Sequence, residues 1–306
     1  MSEEFGHLVP AHRGGAALST AERVRLVRAD RWIGYPRAEL VLGRMADLLD
    51  HPPRDRMPCL LVQGVTGMGK TQIVRKFARE HPPSYDRRTS TTSQPVVCFQ
   101  MPPHPDEKAF WTELLAAVSA PTRSLTTVVE LQRAARDMLV MVGARMLVID
   151  EVHSLLACSY RAQRILLNTL KFLATDLRIP LVCVGTADAR RALVTDQQLA
   201  DRFEAIELPR WVDDTSFHRL LASYAASFPL RQRSDLTAAA LRHRILDLTQ
   251  GVLVRIARLL ETLAADAIRS GRERIEAADL DTAPAFAPLL SMTTGDTSRE
   301  PANGAG

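Results

Sequence analysis

A phosphate-binding loop is the first feature of this chain that could do chemistry. Residues 64–71 have the spacing G-x-x-x-x-G-K-T and lie between an apolar stretch, 59–62, and a helix-like stretch. Glycines let backbone N–H groups approach phosphate oxygens, and the next helix points its positive end at the same anion. Lys70 would reach the outer phosphates, and Thr71 would bind Mg²⁺. The pattern predicts a nucleoside triphosphate site formed by Gly64, Val65, Thr66, Gly67, Met68, Gly69, Lys70, Thr71 and Gln72.

Two carboxylates at the end of a second apolar stretch extend this chemistry. Asp150 and Glu151 follow residues 146–149. We expect Asp150 to hold the hydration shell of Mg²⁺ and Glu151 to polarise the attacking water. A solvated acidic turn explains the pair equally well when it is taken alone, but the P-loop favours hydrolysis. His153 follows two residues after Glu151 and could sense or shuttle a proton, although a lone histidine at a loop–helix junction is more often structural.

Further candidates lie near two other apolar stretches. Thr186 follows residues 181–185, where its hydroxyl would contact the γ-phosphate or orient the water, and Asp188 is the weaker alternative. Arg202 precedes residues 205–208 and is the candidate for an arginine that stabilises charge at a neighbouring subunit's nucleotide. The rival arginines are Arg190, Arg191 and Arg210.

Alternating strands and helices must position these residues. The strand-like stretches are 59–63, 96–100, 146–150, 181–185 and 205–208. The helix-like stretches are 37–49, 71–80, 108–118, 128–142, 161–175 and 188–195. This alternation predicts an α/β fold with a parallel sheet covered on both faces. In such folds phosphate sites lie beyond the carboxyl ends of the strands.

The strand pattern stops after Pro209, and only helix-like stretches follow. They lie at 215–228, 235–249, 253–270 and 276–280. Arg255, one turn into the third of them, would fold back onto the phosphates, although an exposed helix arginine is an equally good account. We divide the chain into an N-terminal arm (1–30), an α/β ATPase core (31–210), a helical lid domain (211–285) and a C-terminal tail (286–306) whose composition predicts disorder.

Composition limits the compartment and the partners. A content of 46% hydrophobic and 24% charged residues is typical of soluble globular proteins. No apolar run approaches the ~20 residues that span a bilayer, and the N-terminus lacks an export signal, so we expect a cytoplasmic protein with no membrane partner. The four cysteines form no C-x-x-C pair, which favours reduced thiols. A net charge of +4 permits nucleic-acid binding without requiring it.

Taken in order, these elements resemble the AAA+ ATPases. That resemblance implies a five-stranded parallel sheet flanked by helices, followed by a small C-terminal helical lid. It assigns Lys70 and Thr71 to Walker A, Asp150 and Glu151 to Walker B, Thr186 to sensor 1, Arg202 to the arginine finger and Arg255 to sensor 2. It also implies that the segment with Ile33 and Tyr35 flanks the adenine. Sensor 1 is commonly Asn in AAA+ proteins, so the threonine leaves the rate of hydrolysis open.

More narrowly, the chain resembles the TniB family of transposon-encoded ATP-binding proteins. The closer match lies in residues 31–38, 55–62, 67–77 and 179–186. It implies a bacterial protein that uses ATP and Mg²⁺, forms a homo-oligomeric ring or helical filament on double-stranded DNA, and recruits or activates a DDE transposase. We identify no DDE catalytic core in the chain itself. DNA contacts would involve Lys108, Thr122 and Arg123, although a polar surface loop is an equally good account of these residues.

Two other functions stay open. A helicase-loader or replication-initiator-like AAA+ ATPase would associate with a replicative helicase. A signalling ATPase would control a protein partner and bind no DNA. ATP hydrolysis that DNA stimulates, with a strong salt dependence, separates transposition from signalling.

Overall fold

The computed structural model describes residues 5–122 and 124–282. The described helices are α1 (Pro10–Arg13), α2 (Thr20–Arg28), α3 (Pro36–Leu49), α4 (Lys70–Glu80), α5 (Glu107–Ala117), α6 (Val128–Met141), α7 (Tyr160–Asp176), α8 (Ala187–Leu193), α9 (Gln197–Ala200), α10 (Thr215–Ser227), α11 (Ala239–Thr249), α12 (Leu253–Ser270) and α13 (Asp279–Thr282). The strands are β1 (Cys59–Gly64), β2 (Ser84–Asp86), β3 (Thr91–Ser93), β4 (Val96–Gln100), β5 (Met146–Asp150), β6 (Leu181–Gly185) and β7 (Phe203–Leu208). Short 3₁₀ helices span Gly14–Ala17 and Val152–Ala157.

The chain forms two compact units. Residues Pro36–Pro209 form the first, which we call the α/β unit. The second, the helical unit, is formed by the segments before and after it, described here for residues 5–35 and 210–282. Each unit has its own hydrophobic core.

The α/β unit is organised around five parallel strands in the order β4-β5-β6-β1-β7. Every residue of β1 and β6 is buried, as expected for strands that are covered on both faces. Gln63 pairs with Gly185, and Ile149 pairs with Cys183, so β1, β5 and β6 end at the same edge of the sheet. That edge carries the P-loop and the predicted acidic residues.

Side-chain caps determine where several of these helices begin. Thr127 accepts from the backbone N–H of Glu130, whose carboxylate accepts in return from the N–H of Thr127, so that a capping box starts α6. Helices α5 and α7 begin with a single cap, in which the side chain of Asp106 or Ser159 accepts a hydrogen bond from the backbone N–H three residues further on.

The predicted fold class is confirmed, with small differences at element ends. Strands β4, β5 and β6 have the predicted bounds, and the six predicted helices of this unit begin and end within two residues of theirs, whereas the short helix α9 was not predicted. The antiparallel pair β2–β3 was not predicted, since its residues are polar and exposed. Helix α11 begins at Ala239 rather than at residue 235, because the Asp235 carboxylate forms a local turn with the N–H and hydroxyl of Thr237.

The helical unit includes the residues predicted from the sequence to form an N-terminal arm. Val24 and Val27 of α2 belong to its core, and α2 packs against α12. Their spacing on one face of α2 was the available signal. The lid boundaries stay a prediction, and the tail, 286–306, lies outside the described residues. No helix within the described ranges is both long enough and apolar enough to cross a bilayer.

Candidate nucleotide-binding site

Two glycines of the loop between β1 and α4 have a backbone conformation that favours glycine, as the sequence predicted. Gly67 and Gly69 both have φ of 85°, in the left-handed region that side chains disfavour. Gly64 is required for a different reason. A Cβ on Gly64 would lie 2.7 Å from the carbonyl oxygen of Leu208, so this glycine allows β1 and β7 to approach.

Lys70 is a buried cation at the start of α4. Lys70 is only 7% exposed, and its Nζ donates to the carbonyl oxygens of Gly64 and Val65, at 2.8 and 3.0 Å. Burial lowers the pKa of Lys70, and the nearby carboxylates of Glu151 and Asp150 act in the opposite direction. The ammonium group is therefore held inside the loop by backbone oxygens.

Thr71 and Asp150 meet beside that loop. The Thr71 hydroxyl donates to Asp150 Oδ2 at 2.6 Å, and the backbone N–H of Glu151 donates to Asp150 Oδ1 at 2.8 Å. A hydroxyl and a carboxylate are oxygen ligands of the kind that Mg²⁺ takes when phosphates and water supply the rest of its shell. No cluster of three or more His, Cys, Asp or Glu residues within the described ranges could hold a metal by itself. The donor set thus fits Mg²⁺ that arrives with a nucleotide.

Glu151 lies directly beyond β5 in an unusual backbone conformation. Its φ is 56°, in the left-handed region. Its Oε2 lies 3.1 Å from Nε2 of His153, which belongs to the 3₁₀ helix Val152–Ala157. From the sequence, a structural role for His153 was favoured over a role in sensing or shuttling a proton. No sequence pattern indicated the contact, because it depends on the turn at Glu151.

Thr186 follows β6 at the same edge of the sheet. Its Oγ1 is buried and has no hydrogen-bond partner among the described residues, although Thr186 is the N-cap residue of α8. The weaker alternative, Asp188, forms an ion pair with Arg191 at 2.8 Å. Thr186 therefore has an unused donor where the sequence predicted a contact with phosphate or water.

Arg202 lies at the opposite edge of the sheet. Its carbonyl oxygen accepts from the backbone N–H of Cys59, the first residue of β1, at 2.7 Å. Its guanidinium donates to the Thr175 hydroxyl at 3.0 Å. Because β1 has six residues, the two edges are about 16 Å apart at roughly 3.3 Å per residue. Arg202 does not join the P-loop of its own subunit, and its role as a finger stays a prediction.

The remaining nucleotide candidates belong to the helical unit. Ile33 packs against that unit's core, and the Tyr35 ring contacts Trp211 with centroids 5.1 Å apart. Burial raises the pKa of Tyr35 to about 12. Arg255 lies in the first turn of α12, and Arg210 donates to the carbonyl of Gln250. Their part in nucleotide binding stays a prediction.

The predicted DNA contacts are only partly described. Lys108 is exposed on α5, where its carbonyl accepts from the Thr112 hydroxyl at 2.8 Å. Thr122 is half-buried, and its carbonyl accepts from Leu125 N at 3.0 Å. Arg123 lies outside the described residues. The first two are surface positions between β4 and β5, as expected, and DNA contact there stays a prediction.

Comparison with a family model identifies the chain. The model described as Bacterial TniB protein matches residues 23–213. The chain belongs to the TniB family. The family that the sequence resemblance indicated is thereby confirmed. No curated protein sequence matches this TniB-family chain.

Solved structures with a similar fold include proteins from Pyrobaculum aerophilum, Aeropyrum pernix and Drosophila. Cdc6p from Pyrobaculum aerophilum has a TM-score of 0.60 at 19% identity, over 86% of this chain and 70% of that one. The ORC2 protein of Aeropyrum pernix, in ADPNP–ADP complexes, has a TM-score of 0.58 at 16% identity, over 87% and 72%. Drosophila ORC bound to DNA has a TM-score of 0.56 at 11% identity, over 92% and 70%. At these identities the likeness shows the fold alone, which is the AAA+ fold.

Proposed function

We infer that this TniB-family protein is an ATPase that assembles on double-stranded DNA and recruits or activates a DDE transposase. One observation carries the ATPase part of this proposal. The buried Lys70, the Thr71–Asp150 hydrogen bond and the Glu151 carboxylate lie together at the carboxyl edge of a parallel sheet. Phosphate sites of α/β proteins lie at this edge.

Each of these residues has a task that its geometry supports. Lys70 and the N-terminus of α4 would hold the phosphates, since both present positive charge to the loop. Thr71 and Asp150 would bind Mg²⁺, which neutralises charge on the phosphates when it is bound. Glu151 would accept hydrogen bonds from the attacking water. Thr186 would contact the γ-phosphate or orient the water.

The position of Arg202 supports assembly as a homo-oligomer. An arginine about 16 Å from its own P-loop cannot reach its own nucleotide with one side chain. A neighbouring subunit could receive it, and such arginines contribute about 10³–10⁵ in rate in other phosphoryl-transfer proteins. ATP would then favour the assembled state, and hydrolysis would release it.

The DNA part of the proposal rests on the family and on charge. The TniB resemblance implies transposition, the net charge is +4, and one protein of the same fold is described as ORC bound to DNA. Contacts along an assembled channel would be to phosphates, so they would weaken steeply with salt and depend little on sequence. Lys108 and Thr122 are the described candidates for such contacts.

The substitution Glu151→Gln tests the ATPase assignment. We expect ATP turnover to fall about 100-fold while ATP affinity and assembly are retained, because the amide cannot polarise water as a carboxylate does. Glu113→Gln, on the exposed face of α5, is the matched control and should leave turnover unchanged. Equal turnover in Glu151→Gln and wild type would contradict the assignment.

Electron microscopy tests the assembly on DNA. We expect rings or filaments when the protein, duplex DNA and a slowly hydrolysed ATP analogue are mixed, and loss of assembly when either DNA or nucleotide is left out. Arg202→Ala should form the assembly but hydrolyse ATP slowly, since the missing charge acts only in the transition state. Dispersed subunits under every condition would overturn the assembly proposal.

A further inference from the structure

Two buried polar atoms that lack a partner border the same glycine at the end of β6. They are His153 Nδ1 and Thr186 Oγ1, and neither has a hydrogen bond to any of the described residues. A Cβ on Gly185 would lie 3.3 Å from His153 Nδ1, and Thr186 is the next residue along the chain. Since a buried polar atom left unpaired destabilises the folded state, two of them at one place require an explanation.

The other ring nitrogen of His153 lies close to a carboxylate. Nε2 lies 3.1 Å from Glu151 Oε2. A neutral imidazole has one N–H, so a hydrogen bond from Nε2 to the carboxylate leaves Nδ1 as an acceptor. The Thr186 hydroxyl is a donor, and the two unpaired atoms are therefore complementary. A hydrogen bond between them, direct or through one water, would satisfy both.

The local packing fixes this histidine between the two strand ends. The 3₁₀ helix Val152–Ala157 packs against β6 and α8, and its Val152 and Leu155 side chains are fully buried. A Cβ on Gly185 would also lie 2.8 Å from Ala189 Cβ and 3.4 Å from the backbone nitrogen of His153. A side chain at position 185 would therefore clash with Ala189 and crowd the imidazole of His153.

We propose that His153 is a positioning residue that links Thr186 to Glu151. The Thr186 hydroxyl donates to Nδ1 and so fixes the tautomer in which Nε2–H holds the Glu151 carboxylate. His153 thus orients Glu151, the proposed base, and Thr186 orients His153. In this arrangement the single proton of the Thr186 hydroxyl goes to Nδ1, so Thr186 acts on hydrolysis through His153 and not by donating to the γ-phosphate. This inference rests on the proposed ATPase function.

Three substitutions of His153 test the contact with Glu151. We expect His153→Phe, which keeps a ring without a donor, to lower kcat about tenfold while the ATP affinity changes less than about twofold, because misplacing a catalytic group affects the reacting step. His153→Gln should recover most of the rate, since its amide N–H₂ reaches the place of Nε2. His153→Asn should not, because its amide nitrogen stands at the place of Nδ1. A normal kcat in His153→Phe, or equal rates in the Gln and Asn variants, would overturn the proposal.

A double substitution tests the contact with Thr186. If Thr186 acts through His153, Thr186→Val should lower kcat in the wild-type background and should lower it no further in His153→Phe. Full multiplication of the two effects would show that Thr186 acts independently, and the link would be wrong. Glu151→Gln separates this outcome from failure of the proposed function. A normal rate in Glu151→Gln removes the ATPase assignment, whereas an impaired Glu151→Gln beside a normal His153→Phe removes only the role of His153.

Discussion

Two buried cations, one in each unit, differ in how their charge is satisfied. Arg23 in the helical unit is 1% exposed, and its guanidinium donates twice to the Pro229 carbonyl, at 2.9 and 2.7 Å, and also to the Glu273 carboxylate. Lys70 in the α/β unit is 7% exposed and donates to two carbonyl oxygens of a loop. Arg23 has a carboxylate partner in its own unit. Lys70 has no such partner bonded to it among the described residues and lies where a bound phosphate would supply the negative charge.

The difference separates a structural charge from a functional one. A buried cation with a complete set of partners holds elements together, and removing it leaves its partner charge buried and unpaired. A buried cation held by neutral oxygens, with the Asp150 and Glu151 carboxylates nearby, fits an arrangement made in advance for an anion. Burial alone does not distinguish the two cases. The predictions that follow test this distinction, beginning with the largest expected effect.

Replacing Arg23 should destabilise the protein and leave nucleotide binding intact. We expect Arg23→Met to lower the free energy of unfolding by about 3–4 kcal/mol, because Glu273 is left partly buried without its cation. Urea unfolding at neutral pH measures the loss, and a fluorescent ATP analogue measures affinity. Arg25→Met, exposed on the same helix, is the control and should change stability by less than about 0.5 kcal/mol. A large loss of ATP affinity in Arg23→Met would break the distinction.

Replacing Lys70 should weaken nucleotide binding and leave the stability of the protein nearly unchanged. We expect Lys70→Ala to weaken ATP binding about 100-fold, which is about 2.7 kcal/mol, because the charge that meets the outer phosphates is removed. The free energy of unfolding should change by less than about 1 kcal/mol, since neither carbonyl partner is charged. Lys76→Ala, further along α4, is the matched control for affinity. Nucleotide-dependent DNA association that survives Lys70→Ala would overturn the proposed function.

Sequence patterns were sufficient for the sheet and for the residues of the P-loop edge. Strands β4, β5 and β6 are short apolar runs with polar residues at their ends, so their bounds could be read directly. Parallel pairing then places Asp150 and Thr186 at one edge. Local pattern and global fold agree in this region, as expected for a sheet covered on both faces.

The features that sequence reasoning missed depend on distant partners. Arg23 lies in a stretch that looks polar, and its burial depends on Glu273, 250 residues away. The contact between His153 and Glu151 depends on the left-handed turn at Glu151, which no residue type at that position indicates. In both cases the tertiary partner, and not the local pattern, determines what the side chain does.

A pair of glycines extends the comparison to the backbone of the helical unit. Gly251 has φ of 66°, and a Cβ there would lie 2.2 Å from the Trp211 carbonyl oxygen, whereas Gly271 has φ of 75° and open space around it. Gly271→Ala should lower the free energy of unfolding by about 1 kcal/mol through backbone strain alone. Gly251→Ala should lower it by roughly 2 kcal/mol or more, because Trp211 must also move. Equal losses would show that the Trp211 contact adapts without strain.

The Arg23–Glu273 pair should also appear in the pH dependence of stability. The hydrogen bond from Arg23 is the largest cause that lowers the pKa of Glu273, and partial burial acts in the opposite direction. The folded protein therefore binds this proton less readily than the unfolded chain does. The stabilisation is present above the ordinary carboxyl pKa of about 4.3 and is lost as the pH falls through the lower, folded value.

Glu273→Gln should unfold more easily than wild type at pH 7, and the gap between their free energies of unfolding should narrow below about pH 4.5. Since Lys70 has no such carboxylate bonded to it, Lys70→Ala should leave this part of the profile unchanged. A gap between wild type and Glu273→Gln that stays constant from pH 7 to pH 3 would show that Glu273 contributes through shape and not through its charge.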